Sequence, residues 1–374
     1  MQAGLLTRCD VIRKFIVSCI AVLFWPVSAF ALDDIELPPG FSIEEYADVP
    51  NARSLVLGDN GTLFVANRKG QSVYAVVADE AGKTRTIELA DDLNAPNGIA
   101  FHDGDLYVAE IDRVSRFVDM EKRLDDVPEA EILDIDLPSK RHHGWRYIGF
   151  GPDNKLYISI GAPCNVCDEA GFAEIVRMDP DGSNRETFAS GIRNSVGFTW
   201  HPESGELWFT DNGRDMMGDD IPPCELNRAS GPGQHFGFPY CHAGEILDPK
   251  FGKGKNCADY RAPARKLGPH VAPLGVKFYT GKMFPAEYQG QIFIAEHGSW
   301  NRSKKIGYRI TLVRLENGSP VSYEPFAHGW LQGESVSGRP VDLIVLDDGS
   351  LLVSDDLSGK IYRISYRDPN KQEG

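Results

Sequence analysis

Gly58-Asp-Asn-Gly-Thr-Leu-Phe-Val-Ala66 is a tight polar turn followed by an alternating apolar run, and the pattern returns five more times. The copies are His102-Asp-Gly-Asp-Leu-Tyr-Val-Ala109, Gly151-Pro-Asp-Asn-Lys-Leu-Tyr-Ile-Ser159 and His201-Pro-Glu-Ser-Gly-Glu-Leu-Trp-Phe-Thr210. Tyr288-Gln-Gly-Gln-Ile-Phe-Ile-Ala295 and Leu346-Asp-Asp-Gly-Ser-Leu-Leu-Val-Ser354 complete the set. Gly, Asp and Asn tolerate positive φ, and the β-branched and aromatic run behind them suits a strand, so each copy is a hairpin signal. The first strand residues are Leu63, Leu106, Leu156, Leu207, Ile292 and Leu351, at intervals of 43, 50, 51, 85 and 59. Units of this length with several strands each predict an all-β, six-bladed β-propeller. The 85-residue interval places a long insertion between blades four and five, at about residues 213–285. A β-sandwich with coincidental hairpins is the competing fold.

Composition agrees. The 374 residues are 42% hydrophobic and 25% charged, with 38 Gly and 24 Pro spread along the length, as in a globular chain of short strands. The net charge of −15 argues against nucleic-acid binding, which needs surplus Lys and Arg. Arg8, Arg13 and Lys14 precede an apolar run, Phe15 to Phe30, ending in Ala29-Phe30-Ala31. This predicts a secretory signal peptide over 1–31, cut after Ala31, with residues 32–374 forming one exported, periplasmic or secreted domain. No later apolar stretch is long enough to span a bilayer. Five cysteines remain after cleavage, and export permits disulfides. Cys164 with Cys167 and Cys241 with Cys257 are the pairs their separation suggests, leaving Cys224 single.

A propeller gathers the loops that follow equivalent strands at one mouth of its channel. The residues after the repeated strands are Asn67-Arg68, Glu110-Ile111, Gly161, Asp211-Asn212, Glu296-His297 and Asp355-Asp356, most of them polar or charged. Four clusters carry candidate chemistry. Arg141-His-His-Gly-Trp-Arg146 offers a histidine base for a sugar hydroxyl. Arg193-Asn194 on a turn suits carboxylate or carbonyl oxygens. Asp211-Asn-Gly-Arg-Asp215, continuing to Gly218-Asp-Asp220, is oxygen-rich as Ca²⁺ requires, but Pro222 stands where an EF-hand needs Glu. Glu296-His-Gly-Ser-Trp-Asn-Arg302 and Gly338-Arg-Pro-Val-Asp342 add cations, which points to an anionic ligand. Dinucleotide, P-loop and nucleophile-elbow motifs are missing from the sequence.

On His143-Gly-Trp-Arg146 leading into Phe150-Gly-Pro-Asp153, Ile160-Gly-Ala-Pro-Cys-Asn-Val-Cys167, Gly191-Ile-Arg-Asn194 and Ala295-Glu-His-Gly-Ser-Trp-Asn-Arg302, the chain resembles the pyrroloquinoline-quinone (PQQ)-dependent soluble glucose/L-sorbosone dehydrogenases. Its sorbosone dehydrogenase-like branch looks nearest. The resemblance implies a six-bladed propeller that holds PQQ over the channel with Ca²⁺ bridging it to the protein. It implies His143 as catalytic base, with His142 if the register slips by one, and Arg193 as a second catalytic group. Arg193, Asn194, Arg339, Asn97 and Arg302 would contact the cofactor, and Gly213, Arg214, Asp219 and Asp220 would hold the metal. Glucose-oxidising members place a Lys on the fifth-blade loop, where this chain offers Arg302, Lys304 or Lys305. The implied reaction oxidises an aldose, a sorbosone-like aldehyde or a related sugar by hydride transfer to quinone C5, with Ca²⁺ as Lewis acid and a quinone or cytochrome as electron acceptor. Two alternatives stay open: a Ca²⁺-dependent sugar lactonase using Glu110, Asn194 and Asp211, and a non-catalytic glycan- or protein-binding propeller.

Overall fold

The repeated strands are the second strands of six four-stranded antiparallel sheets. The computed structural model describes residues 32–371; the expected signal peptide, residues 1–31, lies outside the described residues. Leu63–Asn67, Asp105–Ala109, Leu156–Ile160, Leu207–Asp211, Ile292–Glu296 and Leu351–Asp355 are buried along their whole lengths. Both faces of each such strand are covered, because a neighbouring blade packs on either side. Six hydrophobic clusters fill the six gaps between blades. Leu106, Val108 and Phe117 of blade two, for instance, meet Phe64, Ala66 and Val73 of blade one.

The first strand of each blade is innermost, and these strands touch one another around the axis: Leu55–Leu57, Gly98–His102, Ile148–Phe150, Phe198–Trp200, Pro273–Phe278 and Pro340–Val345. Close approach there needs small residues. A Cβ on Gly275 would lie 2.3 Å from Asp342 Oδ1 of the next blade. The ring closes by a strand from the other end of the chain. Phe41–Asp48 pairs antiparallel with Lys360–Tyr366 and forms the outer edge of blade six.

The long insertion is narrower than its predicted span and sits slightly earlier. Pro223–Ala229 and Arg265–Pro269 are the third and fourth strands of blade four, and Pro273–Phe278 opens blade five. The excursion is therefore residues 230–264, inside blade four. It adds Gln234–His235 as a parallel strand to blade three and a small hairpin of Cys241–His242 with Ile246–Leu247. The Cys241–Cys257 and Cys164–Cys167 disulfides are present, and Cys224 is free and buried. No helix among the described residues is long and apolar enough to cross a membrane.

Candidate active site

The loops between second and third strands and the connections leading into each first strand open at one mouth, and a cavity of about 210 Å³ lies there. Its lining includes Arg53, Arg68, His143, Trp145, Arg193, Asn194, Gly213, Asp215, His270, His297 and Trp300. His143 and Arg193 thus face one space from blades three and four. Asp215 is the single carboxylate in that lining.

His143 is buried, and its Nδ1 lies 2.8 Å from the Ala162 carbonyl. A carbonyl only accepts, so Nδ1 carries the proton and Nε2 keeps its lone pair. Burial, reinforced by Arg193 and His142, pushes the ring pKa down to about 2, so the free imidazole is neutral. Gly161 makes this packing possible. A Cβ there would lie 2.7 Å from His143 Cβ and 3.1 Å from Asn194 Oδ1.

Arg193 is clamped on several sides. Nε donates to Asn165 O at 2.9 Å, Nη2 to Asn165 Oδ1 at 2.9 Å and Asp215 Oδ2 at 2.8 Å, and Nη1 to Asn212 O at 3.1 Å. Four of its five N–H groups are so used. Beneath the turn, Asp211 accepts the backbone N–H groups of both Arg193 and Asn194, at 2.8 and 2.6 Å. Burial and the neighbouring Glu225 raise Asp211 to about 8.

The opposite side of the hub is a buried charge network. Asp356 pairs with Arg53 at 2.9 Å, Arg339 at 2.9 Å and His297 at 3.1 Å. These three hold its carboxyl far below the usual range although burial opposes them. His297 is lowered to about 4, because its burial outweighs its bond to Asp356. Arg68 lies over the Trp145 ring at 4.4 Å, and burial with Arg53 nearby lowers it to about 10. Burial is the main cause, and the repulsion from Arg53 is the part that an anion would relieve. The buried Arg339 Nε has no hydrogen-bond partner among the described residues.

Other predicted site residues lie beside or outside the cavity. Asn97 is buried behind Arg53, accepting from its Nε at 2.9 Å and donating to Arg146 O at 2.8 Å. Arg339 reaches the hub through Asp356. Gly213 lines the cavity, whereas the Arg214 side chain turns away to Asp248, which also meets His242 Nε2 at 2.9 Å. The backbone carbonyls of Gly213 and Arg214 accept no hydrogen bond among the described residues. Asp219, Asp220 and Arg302 do not reach the cavity lining. Arg302 donates to Asp219 O and Asp220 Oδ1, each at 3.1 Å, and Ser303 N to Asp219 Oδ1, so these residues tie two rim loops together. No cluster of three or more His, Cys, Asp or Glu among the described residues has metal-site geometry. Glu110 is engaged by Arg113 and the Asn94 N–H.

Sequence reasoning passed over Arg53, Asn165 and His270. Arg53 precedes a three-residue strand and carries no turn signal. Asn165 sits between two cysteines that claimed attention as a disulfide. Arg68 carried a signal, as a polar residue following a repeated strand.

A six-bladed propeller whose hub is a cationic, histidine-bearing ligand cavity is the class that fold and site define. The TrAA12-like family model matches residues 35–367, and the chain belongs to that family. It is 35% identical over 379 residues to an uncharacterized protein of Borreliella burgdorferi, covering 94% of this chain and 95% of that one. A shorter match, 30% identical over 122 residues, covers 27% of this chain and 16% of a pyrroloquinoline quinone-dependent pyranose dehydrogenase of Coprinopsis cinerea. Among solved structures, the Trichoderma reesei family AA12 enzyme superposes with a TM-score of 0.79 at 20% identity, over 89% of this chain and 98% of that chain. The holo PQQ domain of the Coprinopsis cinerea pyranose dehydrogenase gives 0.75 at 20% identity, over 88% and 97%. The PQQ-bound aldose sugar dehydrogenase of Streptomyces coelicolor gives 0.64 at 18% identity, over 89% and 100%. These structural likenesses establish a shared fold.

Proposed function

We propose that this protein is an exported oxidoreductase that oxidises a sugar, an aldose or sorbosone-like aldehyde, with PQQ held in the hub cavity. The observation that carries the reading is the neutral His143 with a free Nε2, facing the same cavity as Arg53, Arg68 and Arg193. PQQ is a flat tricarboxylate, and the cavity's donor set fits it: the guanidinium groups of Arg53, Arg68 and Arg193 and an aromatic wall at Trp145. Arg53, Arg68, Arg193 and Asn194 would hold it. The free carbonyls of Gly213 and Arg214 are the donors offered to Ca²⁺, a hard cation that takes oxygen ligands. When bound, PQQ supplies the acceptor for the substrate hydride and Ca²⁺ polarises its carbonyls.

The protein's own share is positioning and proton transfer. His143 Nε2 accepts the sugar hydroxyl proton as the adjacent C–H bond breaks. With Nδ1–H fixed on Ala162 O, the imidazolium that forms is hydrogen-bonded at once. Burial is the larger cause of the low pKa and Arg193 the next, so an anion beside Arg193 raises His143 by removing the electrostatic part of the shift. Trp300, at the rim and 71% exposed, offers a face to the apolar side of a pyranose.

The test is reconstitution of the purified protein with PQQ and Ca²⁺, followed by dye-linked oxidation of aldoses, aldehydes and sorbosone. His143→Gln should cut turnover by roughly 10²–10⁴-fold while PQQ still binds. Unchanged turnover in that variant, or hydrolysis of sugar lactones with Ca²⁺ alone, overturns the assignment.

A further inference from the structure

One short segment, residues 161–167, touches both groups that the proposed chemistry uses. Its Ala162 carbonyl takes the His143 Nδ1 proton, and its Ala162 N–H donates to the Arg193 backbone carbonyl at 2.8 Å. Three residues on, Asn165 receives two of the four guanidinium hydrogen bonds of Arg193, one on its backbone oxygen and one on Oδ1. Asn165 also interlocks with Asp215, the other anchor. Its Nδ2 donates to Asp215 O at 3.0 Å, and Asp215 N donates to Asn165 Oδ1 at 3.0 Å. Asn165 lies inside the four-residue ring that the Cys164–Cys167 disulfide closes.

We propose that Asn165, held in that disulfide ring, is the positioning residue for Arg193: it sets the guanidinium plane so that the remaining Nη1 hydrogen faces the cavity ligand. The inference rests on the functional reading above for what the ligand is, but the clamp itself is a property of the protein alone. A long Arg side chain loses much rotamer freedom when fixed. Asp215 reaches only Nη2 and Asn212 O holds Nη1 at the longer 3.1 Å, which together leave the guanidinium some freedom to turn. The bidentate hold by Asn165 on Nε and Nη2 removes that freedom, and the short covalent ring limits how far Asn165 can follow Arg193 if it moves.

Two measurements on the full chain test this. The first is ¹⁵N NMR of the arginine Nε–Hε groups without any ligand. The Arg193 resonance, assigned with Arg193→Lys, should be slow to exchange with solvent in the parent protein. Asn165→Ala keeps the backbone carbonyl that accepts from Nε and removes the Oδ1 that accepts from Nη2 and from Asp215 N, so Nε–Hε exchange should accelerate at least tenfold through loosening of the whole guanidinium, while backbone amide signals of blades one and five stay unchanged. The second is the dissociation constant for PQQ with Ca²⁺, read by quenching of tryptophan fluorescence. Asn165→Ala should weaken binding roughly 10–100-fold, the loss of a charge-assisted hydrogen bond. Asn165→Asp, which keeps the acceptor, should recover most of the loss. Cys164→Ser/Cys167→Ser should move both readouts in the direction of Asn165→Ala. Parent-like Arg193 exchange in Asn165→Ala overturns the proposal. If the parent protein binds no PQQ, the functional reading fails while the exchange measurement still decides the clamp.

Discussion

His143 is neutral because its surroundings make a charged ring expensive, and that has a measurable sign. In the unfolded chain a histidine titrates near 6.5; in the fold His143 is lowered to about 2 and His297 to about 4. As pH falls below about 6.5 the unfolded chain binds protons that these two buried rings refuse. Stability contributed by both is complete above 6.5 and is lost progressively as pH falls toward 4. The drop in Tm between pH 7 and pH 5 should therefore be smaller in His143→Gln than in the parent; an equal drop means that the ring is charged in the fold. Gly161→Ala tests packing at the same spot. The added methyl would press on His143 Cβ and Asn194 Oδ1, so turnover should fall at least tenfold with a Tm loss of only a few degrees. His143, Arg193 and Asn194 were legible in the sequence because polar clusters followed or preceded recognisable apolar strands. Arg53 and Asn165 were not, since a lone Arg before a three-residue strand and an Asn inside a cysteine pair look like ordinary loop residues.

At the level of elements, four of the six repeated strands run mainly apolar and then end on a polar residue inside the protein. Asn67, Asp211, Glu296 and Asp355 are the last strand residues, and all are buried. Glu296 meets Arg309 at 2.7 Å and Asp211 meets two backbone N–H groups, so these carboxylates serve as anchors for the adjoining loops. Asp356, one residue beyond its strand, binds two guanidinium groups and the His297 ring. Asp356→Asn would leave Arg53 and Arg339 facing each other with no counter-charge. Losing one partner of a buried pair costs about 3–5 kcal/mol. The urea midpoint should fall accordingly, and added PQQ, if it binds, should restore part of the loss. A midpoint unchanged by the substitution would show that water already screens the network. Second strands were legible because burial on both faces forces a continuous apolar run. The outer strands were not: Glu131–Ile132 has two exposed residues, and Thr84–Ala90 alternates only loosely. Pro223–Ala229 reads Pro-Cys-Glu-Leu-Asn-Arg-Ala and has no turn motif before it, which is why it was counted into the insertion.

On the scale of the whole molecule, ring closure joins residues more than 300 positions apart. Phe41–Asp48 supplies the last edge, and Ala47 and Val49 help fill the core between blades six and one. Removing 41–48 exposes that core and leaves a three-stranded blade, so the truncated chain should lose cooperative thermal unfolding and soluble yield. Parent-like unfolding after the deletion would refute the clasp. The net charge of −15 is carried on a body whose hub is cationic, which focuses anions toward one mouth. The six-fold repeat made this architecture legible, but the partner of Phe41–Asp48 was not, because pairing across so great a separation leaves no local pattern.

The Arg53–Asp356 bond stitches the first blade to the last at the axis, just as Phe41–Asp48 does at the rim. Arg53 is therefore fixed by Asp356 only when both ends of the circle have met. An incompletely wound chain has an open seam and a scattered hub at the same time. Closing the circle and fixing Arg53 at the hub are therefore one event, and a variant that opens the seam disturbs both.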